Sequence, residues 1–172
     1  FRSASKIMRE TGAQSVKLEG GEEFAETIFF LNQRGIPVMG HIGLMPQRIQ
    51  TLGGFFTQGK TEKESIKLMN DAKSISQAGA FSMVIEAIPE EVATDITRKI
   101  DVPTIGIGAG RNCDGQILVS HDILNLFGAF TPKFVKKYGN IDENIVKAVT
   151  DYSQEVKNKK FPTHDNIFTI KK

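Results

Sequence analysis

Four short apolar runs in this sequence end in, or lead into, ionisable side chains. Lys17 and Glu19 close Val16-Lys17-Leu18-Glu19, just before Gly20-Gly21. His41 closes Ile36-Pro37-Val38-Met39-Gly40-His41, and Glu86 closes Ser82-Met83-Val84-Ile85-Glu86. His121 and Asp122 follow Ile117 to Ser120. In a strand, residues i and i+2 point to one face, so Lys17 and Glu19 emerge together. These side-chain types suit three tasks. A lysine ammonium binds an anion as a compact point charge. A carboxylate can hold a hard cation. A glutamate or histidine can move a proton.

Each group also has a plainer reading. Lys17 and Glu19 could form a structural ion pair. His41, between glycines, could be a hydrogen-bonded, half-buried histidine. A carboxylate ending an apolar run, as Glu86 does, must be paired, bound to metal or reluctant to ionise. Asp122 could cap the following helix.

The elements that must position these groups follow from periodicity. An opening helix covers 1–10, and a strand runs from Ser15 to Leu18. A helix over 22–34 places Phe24, Ile28 and Leu31 on one face. The next strand ends at His41. A glycine-rich loop, Leu52 to Lys60, precedes Thr61, which caps a helix to about Ala78, with Glu64 at capping-box spacing. Ala80 to Glu86 reads as a third strand, and Pro89 opens a helix to about Lys99. Val102 to Gly108 is a fourth strand and Ile117 to Ser120 a short fifth. A last helix covers about 141–158. The glycines of Gly106-Ile107-Gly108-Ala109-Gly110 allow close backbone approach. They do not make a phosphate loop, because Arg111 stands where the pattern needs glycine.

Strands and helices that alternate at this spacing imply parallel strands joined by right-handed crossovers. In closed barrels and open α/β sheets alike, ligands bind at the carboxyl ends of the strands. The polar groups therefore converge on one rim.

The totals fit one soluble globular domain over 1–172, with a basic surface tail at 159–172. The chain has 172 residues, 40% hydrophobic and 24% charged, with a net charge of +2. That charge is too small to argue for nucleic acid. The lone Cys113 excludes an internal disulfide framework, suits a reducing compartment and reads as a bystander thiol in a loop. No apolar run approaches the roughly 20 residues of a membrane span.

Seven stretches, in order, carry a resemblance. They are VKLEGG (16–21), PVMGHIGLMPQ (37–47), GGFFTQGK (53–60), IEAIPEEVA (85–93), PTIGIGAG (103–110), DGQILVSHD (114–122) and PKFVKKY (132–138). Together they resemble the ketopantoate hydroxymethyltransferase family of pantothenate biosynthesis. The resemblance implies a (β/α)8 TIM barrel, here lacking roughly the first three βα units, in a cytoplasmic homo-oligomer, typically a decamer. It implies transfer of a one-carbon unit from the co-substrate 5,10-methylenetetrahydrofolate to C3 of α-ketoisovalerate, through an enolate stabilised by Mg²⁺. By resemblance Glu86 is the catalytic base, Lys17 and His41 bind substrate, and Glu19 serves the metal. The family's two aspartate metal ligands match nothing in this sequence.

Two other classes stay open at this level. One is a phosphoenolpyruvate mutase or isocitrate lyase-like carbon–carbon bond enzyme, whose cysteine-bearing loop Cys113 does not match. The other is a non-catalytic barrel fragment.

Overall fold

The computed structural model describes residues 1–48, 57–126 and 131–170. They fall into two compact units, Phe1–Ile117 and Leu118–Lys172.

The first unit is a parallel five-stranded sheet with helices. In chain order its elements are α1 (Arg2–Thr11), β1 (Val16–Glu19), α2 (Ala25–Asn32), β2 (Val38–Gly43), α3 (Glu62–Gln77), β3 (Ser82–Glu86), α4 (Glu90–Lys99), β4 (Thr104–Ile107) and β5 (Gly115–Gln116). The strands lie in the order β1-β2-β3-β4-β5, every adjacent pair parallel. The expected α/β architecture with parallel strands is present.

Side-chain alternation divides this sheet into two faces. Val38, Ile42, Met83 and Ile85 occupy one face and are at most 1% exposed. They form a core with Ile28 and Leu31 of α2, Leu68, Ala72 and Ile75 of α3, and Ala93 and Ile96 of α4. Full burial of each large aliphatic side chain contributes about 1.5–3 kcal/mol. Gly40 lets α3 sit close to β2, since a Cβ there would lie 2.6 Å from Ile75 Cγ2. The other face carries Lys17, Glu19, His41 and Glu86.

Thr61 caps α3 as expected. Its hydroxyl accepts from Glu64 N at 3.3 Å, while the Glu64 carboxylate accepts from Thr61 N at 3.1 Å. Pro89 takes the N-cap position of α4, one residue before the expected first turn. Of the glycine-rich loop, residues 52–56 lie outside the described residues.

Three expectations need correction. The second strand does not stop at His41 but continues through Gly43. The fifth strand is Gly115–Gln116, not Ile117 to Ser120. It pairs with β4 without a helical crossover, because Asp114 draws the returning chain back to the start of β4. Asp114 Oδ2 accepts from Thr104 N at 2.8 Å and from Thr104 Oγ1 at 3.0 Å, and Asp114 N donates to Thr104 Oγ1 at 3.2 Å. A short apolar run after a turn looks like a strand in sequence, yet here the side-chain hydrogen bonds place the pairing two residues earlier. Last, Asp122 is not a helix cap. It lies inside the turn Ser120–Ile123 with His121, and Val119 fills the cap position.

That turn (α5, Ser120–Ile123) opens the second unit, which also holds the long helix α6 (Ile141–Lys157) and a 3-10 turn at His164–Asn166. Asn125, in a left-handed conformation, joins the two helices. Its Nδ2 donates to Asn140 Oδ1 at 2.6 Å and Asp142 Oδ1 at 2.8 Å. Residues 159–170 are exposed.

Candidate active site

Parallel register brings the four polar groups of the first unit onto one face. Glu19 pairs with His41 across β1 and β2, and Gly43 pairs with Glu86 across β2 and β3. Since alternate residues share a face, Lys17, Glu19, His41 and Glu86 all project from the same side near the carboxyl ends of three adjacent strands.

His41 is the centre of the cluster. It is 1% exposed. Its Nδ1 lies 3.0 Å from Lys17 Nζ and 3.7 Å from Glu19 Oε1. Its Nε2 lies 3.1 Å from Glu86 Oε2. That approach is close but poorly directed, so Nε2 has no aligned hydrogen-bond partner. The distance is short enough for the two groups to interact, but the direction falls short of a well-formed hydrogen bond.

Glu19 is held on both oxygens. Lys17 Nζ donates to Oε1 at 3.3 Å, and Gln47 N donates to Oε2 at 3.2 Å. The two charges differ in surroundings: the Lys17 side chain is 44% exposed and that of Glu19 only 8%. Lys17 is thus the wet end of the pair, while Glu19 is shielded.

Backbone geometry fixes Glu86. Gly43, at φ 93°, turns the chain beneath it, and Leu44 N donates to the Glu86 carbonyl at 2.9 Å. A Cβ on Gly43 would lie 2.2 Å from that carbonyl oxygen. Ala87, directly after Glu86, has φ 50°. Left-handed backbone is costly for a residue with a Cβ and marks local strain.

Two supporting residues were not visible in the sequence. Asp71 follows Lys67 by four residues, a spacing that by itself signals only an ion pair on a helix surface. In the fold Asp71 is 5% exposed. It takes both Lys67 Nζ, at 2.7 Å, and Glu22 N, at 2.9 Å, so it anchors the chain leaving β1. Gln47 acts through its backbone N–H, which no side-chain pattern signals.

Of the site residues expected, Lys17, Glu19, His41 and Glu86 are brought together. His121 and Asp122 belong to the second unit. Cys113 is buried, and burial pushes its thiol above the ordinary range, with Asp114 adding to the rise and hydrogen bonds from Thr97 and Thr104 opposing it. Among the described residues no group of three or more His, Cys, Asp and Glu side chains is arranged to hold a metal ion. The residues present fit a hard cation only as one contributor. Each Glu19 oxygen keeps a lone pair beyond the bond it accepts, and Mg²⁺ is usually bound through one or two carboxylates with water completing its shell.

The family model for ketopantoate hydroxymethyltransferase matches residues 1–164. The chain belongs to the ketopantoate hydroxymethyltransferase family. Curated relatives named 3-methyl-2-oxobutanoate hydroxymethyltransferase agree. The protein of Rhizobium etli is 53% identical over 168 residues, covering 98% of this chain and 62% of the relative. That of Sinorhizobium medicae is 54% identical over 172 residues, covering 100% and 63%. That of Brucella canis is 51% identical over 171 residues, covering 99% and 62%. The chain therefore spans about 62% of the length of the curated relatives it matches. No described helix is long and apolar enough to cross a membrane.

Proposed function

We propose that this chain supplies the proton-transfer side of a site that moves a hydroxymethyl group from 5,10-methylenetetrahydrofolate to C3 of α-ketoisovalerate, giving ketopantoate. The observation that carries the reading is the cluster itself: in a member of this family, one cation and two carboxylates surround a buried histidine on one sheet face. The five parallel strands are read as part of a (β/α)8 barrel.

The roles follow from the chemistry. Lys17, the most exposed of the four, meets the carboxylate of the 2-oxo acid. Glu86 takes the proton from C3 as general base, and C3 then bonds to the one-carbon unit, with water supplying the hydroxyl and tetrahydrofolate leaving. Glu19 would hold a Mg²⁺, directly or through water. When bound, that ion would act as a Lewis acid toward the oxo group. Backbone bonds from Leu44 and the turn at Ala87 keep the Glu86 main chain fixed as its carboxylate gains and loses the proton.

The test is deuterium exchange at C3 of α-ketoisovalerate, with Mg²⁺ and without folate. Wild-type protein should exchange, and Glu86→Gln should lower the rate by about 10²–10⁴-fold, the usual range for a lost general base. Exchange at the wild-type rate in Glu86→Gln would remove Glu86 from the role.

A further inference from the structure

Both ring nitrogens of His41 face protein groups. Lys17 Nζ lies 3.0 Å from Nδ1, and Glu86 Oε2 lies 3.1 Å from Nε2. The ring is 1% exposed, and the Glu86 carboxylate stands on its Nε2 side. An ammonium carries donors and no acceptor, so the Nδ1 facing it must present its lone pair. The proton of a neutral imidazole then sits on Nε2, beside the Glu86 carboxylate. Glu19 Oε1, 3.7 Å from Nδ1, is an acceptor that would favour the opposite tautomer. It is further away and already accepts from Lys17, so the shorter Lys17 contact decides.

We propose that His41 is a positioning residue for Glu86, locked by Lys17 as the tautomer protonated on Nε2, and that it does not hold the substrate. The proposal rests on the reading of Glu86 as the base, and it departs from the substrate contact that the family resemblance implies for His41. The Nε2–H aims the carboxylate. The terminal torsion of a glutamate is soft. Rotation of the Glu86 carboxylate about that torsion is the adjustment that would align the contact into a hydrogen bond. Lys17 then has two duties: its exposed side meets the substrate, and its contact with Nδ1 sets the proton on the far side of the ring.

Imidazole nitrogen NMR on uniformly ¹⁵N-labelled protein tests this without any turnover. The chain has three histidines, and the His41 signals are those lost in His41→Gln. The expected pattern is protonated Nε2 with unprotonated Nδ1, and Lys17→Met should convert it to a mixture or to the Nδ1–H form. A proton on Nδ1 in the wild type, or a pattern unmoved by Lys17→Met, overturns the proposal.

Exchange kinetics give a second readout. His41→Leu should lower kcat by on the order of 10²-fold, the low end of the general-base range, with KM for the 2-oxo acid nearly unchanged. His41→Gln, whose amide can accept from Lys17 and donate to Glu86, should recover much of that loss. A raised KM with unchanged kcat would instead make His41 a substrate contact. Should Glu86→Gln leave exchange intact while the Nε2–H pattern holds, the base assignment falls and the tautomer stands, so the two failures are distinguishable.

Discussion

Gly21 packs directly against the carboxylate of Asp71: a Cβ at position 21 would lie 2.2 Å from Asp71 Oδ1. The glycine pair after β1 thus has a packing reason as well as a conformational one. It lets a carboxylate from α3 reach Glu22 N and fix the end of the strand that carries Lys17 and Glu19. Gly21→Ala should destabilise the protein by roughly 1–3 kcal/mol, the usual cost of overpacking a filled site. Urea unfolding measures it, and an unchanged midpoint would show that Asp71 can move aside.

Removing the carboxylate should be comparably costly. Asp71→Ala leaves Glu22 N–H without its acceptor and Lys67 without its ion partner. A hydrogen bond to a charged group contributes roughly 1.5–3 kcal/mol. Asp71→Asn keeps an acceptor for Glu22 N and should recover part of that loss in the same unfolding experiment.

Ala87 should behave in the opposite sense to most alanines. At φ 50° it bears the left-handed penalty that glycine avoids. Ala87→Gly should leave stability unchanged or raise it by up to about 1 kcal/mol, whereas Ala→Gly inside a helix lowers it. Thermal unfolding checks the sign.

Lys17→Met should raise KM for the 2-oxo acid by roughly 10–100-fold, because a hydrogen bond to a charged group contributes about 1.5–3 kcal/mol. Initial-rate kinetics over a range of substrate concentration gives the value. A KM within twofold of wild type would place the substrate carboxylate elsewhere.

Cys113 should react slowly with alkylating agents at neutral pH and quickly once the protein unfolds. Burial raises its pKa, so the fold favours the protonated thiol. The sign for stability follows. The contribution is fully present below the ordinary thiol pKa, and it is lost as pH rises through the higher folded value, because the unfolded chain ionises first. Chemical unfolding across the alkaline range should show this fall in wild type and less of it in Cys113→Ala.

Much of this arrangement was legible in the sequence. The strand-and-helix alternation gave the parallel sheet, and the i, i+2 spacing of Lys17 and Glu19 set them on one face. The capping box at Thr61 and Glu64 was readable because both of its halves are local. What was not legible depends on contacts between distant segments. Asp71 looks like half of a surface ion pair until α3 packs against the exit of β1. β5 falls at Gly115–Gln116 because Asp114 bonds to Thr104, a link that strand propensity cannot reveal. The embrace of His41 by Lys17 and Glu86 needs three strands in register, although each residue was individually suspect from its place at or near a strand end.

The order of strands in the sheet repeats their order in the chain, β1 through β5. Each strand therefore finds as its partner the one made just before it. During synthesis each of these strands after β1 meets an edge already in place. Among the described strands none has to wedge between two earlier ones, and each pairs with its neighbour in the chain, where closure costs less than between more distant strands. The site inherits the same schedule. Lys17 and Glu19 emerge first, His41 joins them with β2, and Glu86, the group that meets the C3 proton, arrives last.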